Sequence, residues 1–334
     1  MILAVEDGAL IMEADRRKRR VALLSVISNT TLVLLKLAVG LAISSVSVIS
    51  EAIHSGVDLI AAGIAYYSVR TSGIPADREH PFGHGKIENI SGTVEALLIF
   101  LAAAWIIYEA AQKIIRPEPL EMAAWGVAVM LLSAVVNTFV SRQLFRVGKE
   151  TDSVALIADG WHLRTDVYTS AGVMAALAVI WAADLFAPEV DLHWVDPAAG
   201  IGVALLIIKA AWDLTRQSAR DLLDVQLPGE EIAWIESLIL KRRPVVKGYH
   251  QLRTRKSGHF RFVEVHIKVD SGMTVEASHR ITQEFAREIR ERFPGASVTT
   301  HVEPCDGSCG PRCLEGCLLT EGERGGGSQT DELR

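Results

Sequence analysis

Between about residue 21 and residue 216 the sequence runs in apolar blocks, six of them near the roughly 20 residues a helix needs to cross a hydrocarbon core. They lie near residues 21–45, 47–70, 88–113, 121–144, 153–183 and 195–215. Inside lipid every backbone N–H and C=O must be satisfied within the protein, so such blocks can only be helices or the strands of a closed barrel. Their length, well beyond the 9–11 residues of a spanning strand, selects helices. The chain is 49% hydrophobic yet 22% charged, so charge and apolar surface have to be segregated. They are: from about residue 217 onward the composition is that of an ordinary water-soluble domain.

Four segments follow: a basic cytoplasmic arm over 1–20, a six-helix transmembrane domain over 21–218, a cytoplasmic domain over 219–304 and a tail over 305–334. The first apolar run follows "RRKRR" and continues to full span length, so it reads as a retained helix rather than a cleaved leader. Basic residues cluster in the amino-terminal arm, after the second run (Arg70, Arg78, Lys86) and after the fourth (Arg142, Arg146, Lys149). That asymmetry places those segments and both termini in the cytoplasm, with only Lys113 and Arg116 opposing it. A net charge of −6 without a dominant basic tract argues for no nucleic-acid partner.

Two apolar runs carry residues that do not belong in lipid. "EAIHSGVDLIAAG" places Glu51, His54 and Asp58 on one helical face, and "ALIADGWHLRTDVYTS" repeats the spacing with Asp159, His162 and Asp166. An ionised Asp at mid-helix costs roughly 2.5 to 3.5 kcal/mol on insertion scales. Two such residues, each four positions from a His, call for a shared compensation. His54, Asp58, His162 and Asp166 can offer two imidazoles and two carboxylates to one ion, a tetrahedral set that suits zinc. The set leaves no open coordination position, and the chain has no HExxH and no separate general base beside it, which argues against a metalloenzyme. Asn29 and Asn137 read as helix–helix hydrogen-bonding groups.

Beyond residue 218 the pattern predicts a helix from Pro228 to about Lys241, strands over "GYHQLRTRKSG" and "FRFVEVHIKVD", an amphipathic helix from Thr274 to Arg292 and a last strand at "SVTTHVEP". Helix, strand, strand, helix, strand makes a small α+β ferredoxin-like or metallochaperone-like unit.

"SVISEAIHSGVDLIAAG", "PADREHPFGHGKIENI", "ALIADGWHLRTDVYTS" and "VDPAAGIGVALLIIK", in this order, resemble the cation diffusion facilitators, proton-coupled exporters of zinc and related divalent metals. The resemblance runs from about residue 20 to residue 304 and implies that His54, Asp58, His162 and Asp166 are the transport ligands. It implies zinc preference over cadmium from the His at position 54. It further implies a loop site at Asp77, His80 and His84, a dimer-clamping pair of Lys86 and Asp224, and a cytoplasmic metal site at His250, His266, His279, His301 and Glu303. Glu303 departs from the pattern, where Asp is commoner.

All four cysteines, Cys305, Cys309, Cys313 and Cys317, lie in the tail at intervals of four. Cytoplasmic thiols stay reduced, so two readings stand: a thiolate metal site, or a flexible redox-sensitive tail followed by disorder. The functional expectation is a homodimeric, multi-pass antiporter of the bacterial inner membrane that exchanges cytoplasmic Zn2+ for protons. The alternatives are a relative exporting iron, cobalt, nickel or cadmium, and a membrane metal sensor.

Overall fold

The computed structural model describes residues 2–42, 46–115, 124–186, 194–305, 316–320 and 324, and the chain divides into two compact units. One unit, Glu13–Leu222, is helical. Its long helices are α1 (Ile2–Ala42, which begins in the other unit), α2 (Val46–Ser72), α3 (Lys86–Ile115), α4 (Ala124–Glu150), α5 (Val154–Phe186) and α6 (Val195–Leu222). The arm expected before residue 21 is thus continuous with α1 as one helix. Among the described residues, Met12–Ala42, Lys86–Ile115, Ala128–Glu150 and Pro197–Leu222 are long and apolar enough to cross a membrane. Helices α2 and α5 are not in that set, and they are the two that carry the His/Asp pairs.

The interior of this unit is built from small residues. On α3, Glu88, Gly92, Glu95, Ala96, Ile99 and Ala103 recur at helical spacing and are buried. Ala96, Ile99 and Ala103 pack with Val154 and Ala158 of α5 and Ala204, Ile207 and Ala211 of α6. A Cβ on Gly92 would lie 2.8 Å from both Ser218 Oγ and Val154 Cγ1, so a larger residue there would force α3 away from its neighbours. The outer face of the same helix exposes Leu97, Leu101, Trp105 and Tyr108. Small inside and large apolar outside is the arrangement expected where lipid, not water, surrounds a bundle, because close backbone approach then drives association. A second cluster joins Ala22 of α1, Val69 of α2, Leu144 and Val147 of α4, and Leu156 and Leu163 of α5.

The other unit contains α7 (Gly229–Leu240), β1 (Gly248–Ser257), β2 (Phe260–Asp270), α8 (Val275–Arg292) and β3 (Ser297–Cys305). Pro228 precedes α7, where its missing N–H costs nothing, and the Thr274 hydroxyl caps α8 by accepting from Ala277 N at 3.2 Å. The sheet order is β1-β2-β3, antiparallel then parallel. Alternate residues Val263, Val265, Ile267 and Val269 of β2 face Ile235, Leu238 and Ile239 of α7 and Phe285 and Ile289 of α8 in one core. The intervening residues, His266 among them, therefore stand on the opposite face from α7 and α8.

The carboxy-terminal segment returns to this sheet. Tyr249 N donates to Gly316 O and Leu318 N to Lys247 O, both at 2.9 Å, so Cys317 bridges Gly248 on the outer edge of β1. A Cβ at Gly316 would lie 1.6 Å from Tyr249 O, which only glycine avoids. Leu318 packs on the domain core.

Candidate metal sites

Three groups of potential ligands come together among the described residues, two in the helical unit and one on the sheet. The first joins α2 to α5. One ligand atom each from His54, Asp58 and Asp166 lies within 4.8 Å of the others. His162 enters through Nε2, 3.1 Å from Asp58 Oδ1. Asp58 and His162 are buried, Asp166 is half-buried and His54 is exposed. The four-residue spacing puts each His and its Asp on one helical face, and α2–α5 packing turns the two faces together. Asn137 of α4, read from sequence as a plain helix–helix contact, donates from Nδ2 to Asp166 Oδ2 at 3.4 Å and so orients a candidate ligand. Next to His54 on α2, Ser55 accepts from Nζ of the buried Lys36 at 2.8 Å. Sequence reasoning passed over Lys36, although a lone basic residue inside "LVLLKLAVG" is a signal of the kind that singled out the aspartates.

The second group is in the segment between α2 and α3. Asp77 Oδ1 accepts from the backbone N–H of Glu79 at 2.9 Å and of His80 at 2.6 Å. His84 Nε2 is 3.5 Å from Asp77 Oδ2, and the His80 and His84 rings are 4.3 Å apart. The His80 N–H, followed by that of Glu79, holds the Asp77 carboxyl below the usual carboxylate range. His84 is buried with Nδ1 3.4 Å from the Ile74 carbonyl, a contact that fixes the ring with Nε2 turned to Asp77.

Close to this loop an ion pair that sequence reasoning missed ties four helices. Lys18 of α1, fully buried, places Nζ 3.3 Å from Glu88 Oε1 and 3.0 Å from Asp15 Oδ1. Ser72 at the end of α2 donates to Glu88 Oε1 at 2.8 Å and Ser153 before α5 donates to Glu88 Oε2 at 2.6 Å.

The third group spans the open face of the sheet. Register places His250 opposite His266 and His266 opposite His301, three imidazoles in a row across three strands. Their ring centroids are 5.1 and 4.8 Å apart. Glu303, two residues beyond His301 and thus on the same face, reaches back with Oε2 2.9 Å from His250 Nε2 and Oε1 2.9 Å from His266 Nδ1. The hydrogen bond from His266 and then that from His250 pull its carboxyl down to about 2. The longer side chain that departs from the commoner Asp therefore still spans two imidazoles. His301 is looser, with Nε2 3.9 Å from Glu303 Oε1. His279 is exposed on α8, the helix that covers the other face of the sheet, and one chain does not bring it to this row.

The remaining candidates have contacts of their own. Lys86 Nζ donates to Leu222 O at 3.4 Å, and Asp224 Oδ1 accepts from Arg255 at 3.4 Å. Cys305 ends β3 and Cys317 pairs with β1, both as free, half-buried thiols. Cys309 and Cys313 lie outside the described residues.

Comparison with known proteins agrees over almost the whole chain. Residues 22–223 match the cation efflux transmembrane domain, and residues 227–305 match the cytoplasmic domain of cation efflux proteins. An uncharacterized transporter, sll1263 of Synechocystis sp., is 35% identical over 291 residues, covering 87% of this chain and 92% of that protein. The cation-efflux pump FieF of Cronobacter sakazakii is 32% identical over 298 residues, covering 89% of this chain and 95% of the pump. A solved metal-bound C-terminal domain of the CzcD transporter from Thermotoga maritima is 32% identical, with 23% of this chain and 94% of that one covered and a TM-score of 0.21. With long apolar helices, a compact α+β unit and both halves matched, the chain belongs to the cation efflux family, the cation diffusion facilitators, which are membrane transporters and not enzymes.

Proposed function

We propose that this protein exports a divalent transition metal, zinc foremost, from the cytoplasm in exchange for protons. The observation that carries this reading is the convergence of His54, Asp58 and Asp166 within 4.8 Å, with His162 on Asp58, inside a helical membrane unit. Nitrogen and carboxylate donors without thiolate suit a borderline ion that must leave again. Metal and proton compete there for the same atoms. Without metal, the His162 Nε2 proton is shared with Asp58 Oδ1; a metal taken up by both residues must displace it, and a returning proton displaces the metal. Exposing that site to each side in turn gives antiport. The proposal includes six spans, cytoplasmic termini, a bacterial inner membrane and a homodimer, with Lys86 and Asp224 as the pair that clamps the dimer near the membrane surface. It includes metal binding at Asp77, His80 and His84, and on the sheet face.

Purified protein in vesicles loaded with a zinc-sensitive dye tests the reading. Zinc should enter when an opposing proton gradient is imposed, and a folded protein that moves none would instead support a membrane metal sensor. In the same vesicles His54→Asp should admit cadmium while keeping part of the zinc flux, since a carboxylate in place of an imidazole adds charge and relaxes the tetrahedral demand. A cadmium-to-zinc ratio untouched by the substitution would place selectivity elsewhere.

The sheet site makes a separate prediction. A metal that binds His250, His266, His301 and Glu303 favours whichever arrangement assembles those ligands, by ~2 to 3 kcal/mol at a hundredfold excess over Kd. His279 can reach such a site only from a second copy. The isolated fragment 219–304 contains every fully buried residue of its own core, from Leu227 to Ala296. It should compact with zinc in small-angle scattering, and His266→Ala should weaken the effect. Scattering and melting curves indifferent to zinc would remove the regulatory role from these histidines.

A further inference from the structure

Inside the helical unit a second pair of carboxylates is buried, and among the described residues three of its four oxygens make no hydrogen bond. Glu95 of α3 and Asp159 of α5 are both 0% exposed. Among the described residues, neither oxygen of Asp159 meets a hydrogen-bond donor, and Glu95 Oε2 meets none either. Glu95 Oε1 accepts only from Ser91 Oγ, at 3.2 Å. Their chain neighbours Ala96 and Ala158 pack in one cluster, the charge of Asp159 is felt at Glu95, and Asp159 also feels His162 and Asp58. The fully buried Ser25 hydroxyl of α1 is close enough to act on Asp159 without making a well-formed hydrogen bond to it.

Glu88, on the same helix as Glu95, shows what a structural carboxylate looks like in this bundle. Its two oxygens are met by Lys18, Ser72 and Ser153. A buried polar group left unmet is destabilising, more so when charged, so a bundle that satisfies Glu88 so fully has no structural reason to leave three oxygens of its neighbours bare. Ionisable groups inside a membrane unit persist where they hold something. Asp159 stands three residues before His162, about 4.5 Å along α5 toward the end of the bundle sealed by Glu88 and Lys18.

We propose that Glu95 and Asp159, with the Ser25 hydroxyl, form a second intramembrane cation site that takes a divalent ion through oxygen atoms alone. It lies between the Glu88 cluster and the histidine-containing ligands. The proposal rests on reading the chain as a carrier of divalent metal, and it adds a station on the ion's path. An all-oxygen set favours a hard ion such as Mn2+ or a partly hydrated ion, whereas the His/Asp set holds a borderline ion more tightly. An ion would thus be met first by a weak site and passed to a stronger one.

The test counts bound Mn2+ by electron paramagnetic resonance on the full-length protein in detergent at one fixed pH, so the outcome does not depend on whether transport occurs. The protein carrying His54→Ala and His162→Ala, which disables the nitrogen-containing set, should retain the oxygen-only equivalent. Adding Glu95→Gln and Asp159→Asn to it should remove one equivalent of bound Mn2+ per chain. Adding Glu95→Asp instead, which keeps the carboxylate, should preserve that equivalent and shows that a change at this position is tolerated. Equal Mn2+ counts with and without the two carboxylates would overturn the proposal, as would loss of the equivalent on removing the histidines alone.

Discussion

Asp58→Ala, and separately Asp166→Ala, should abolish zinc flux in reconstituted vesicles while leaving a protein that purifies in the same oligomeric state. Each substitution removes one of the two anionic groups in a set of four, and a divalent ion moved out of water needs both to be neutralised. Asp58 has the further role of holding His162 at Nε2, 3.1 Å away, so its loss also frees that imidazole to turn. Asp166 is braced by Asn137, and Asn137→Ala should weaken transport without ending it, since the ligand survives and only its orientation is relaxed. Near-normal flux in either aspartate variant would remove the α2–α5 cluster from the transport path.

Lys18→Met should lower stability by about 3 to 5 kcal/mol, the cost of breaking a buried ion pair by removing one partner. Lys18 and Glu88 both have side chains 0% exposed, and the substitution leaves the Glu88 carboxylate with the Ser72 and Ser153 hydroxyls but without the ammonium. The double variant Lys18→Met/Glu88→Gln should recover much of that loss, because it removes the stranded charge along with its partner. Thermal unfolding midpoints in detergent, followed by tryptophan fluorescence, measure both. A single variant as stable as the parent would show that Glu88 does not depend on Lys18 for its charge. The pair joins α1, the end of α2, the start of α3 and the start of α5, so its energetic weight bears on whether these helix ends move as one body.

Much of this was legible along the chain. Helix lengths, the order of elements in the α+β unit and the alternation of β2 are one-dimensional patterns, set by which residues must leave lipid or water and at what period. The predicted strand over "FRFVEVHIKVD" is β2, and the expected helix from Thr274 to Arg292 is α8 with Thr274 as its cap. The His/Asp spacing on α2 and α5 was likewise visible, because residues four apart share a helical face whatever surrounds them.

Apart from the α2–α5 match that the two His/Asp faces called for, pairing between elements was not legible, because it depends on the depth and rotation of each helix and on which sheet edge the chain returns to. Only the tertiary structure turns Asn137 toward Asp166, sets Lys18 against Glu88 across seventy residues, and buries Glu95 and Asp159 with three of their four oxygens unmet among the described residues. It also separates residues that sequence grouped together: β register aligns His250, His266 and His301 on one face, while α8 carries His279 on the other layer. The cysteine segment reads from sequence as either a thiolate site or a flexible tail, and Gly316 to Leu318 return instead to the edge of β1, where unpaired backbone groups were available and a glycine allowed the approach. Periodicity is a property of neighbours in the chain, and so the sequence carries it openly. A contact between two helices is a property of their relative placement, which only the packing of the whole unit decides.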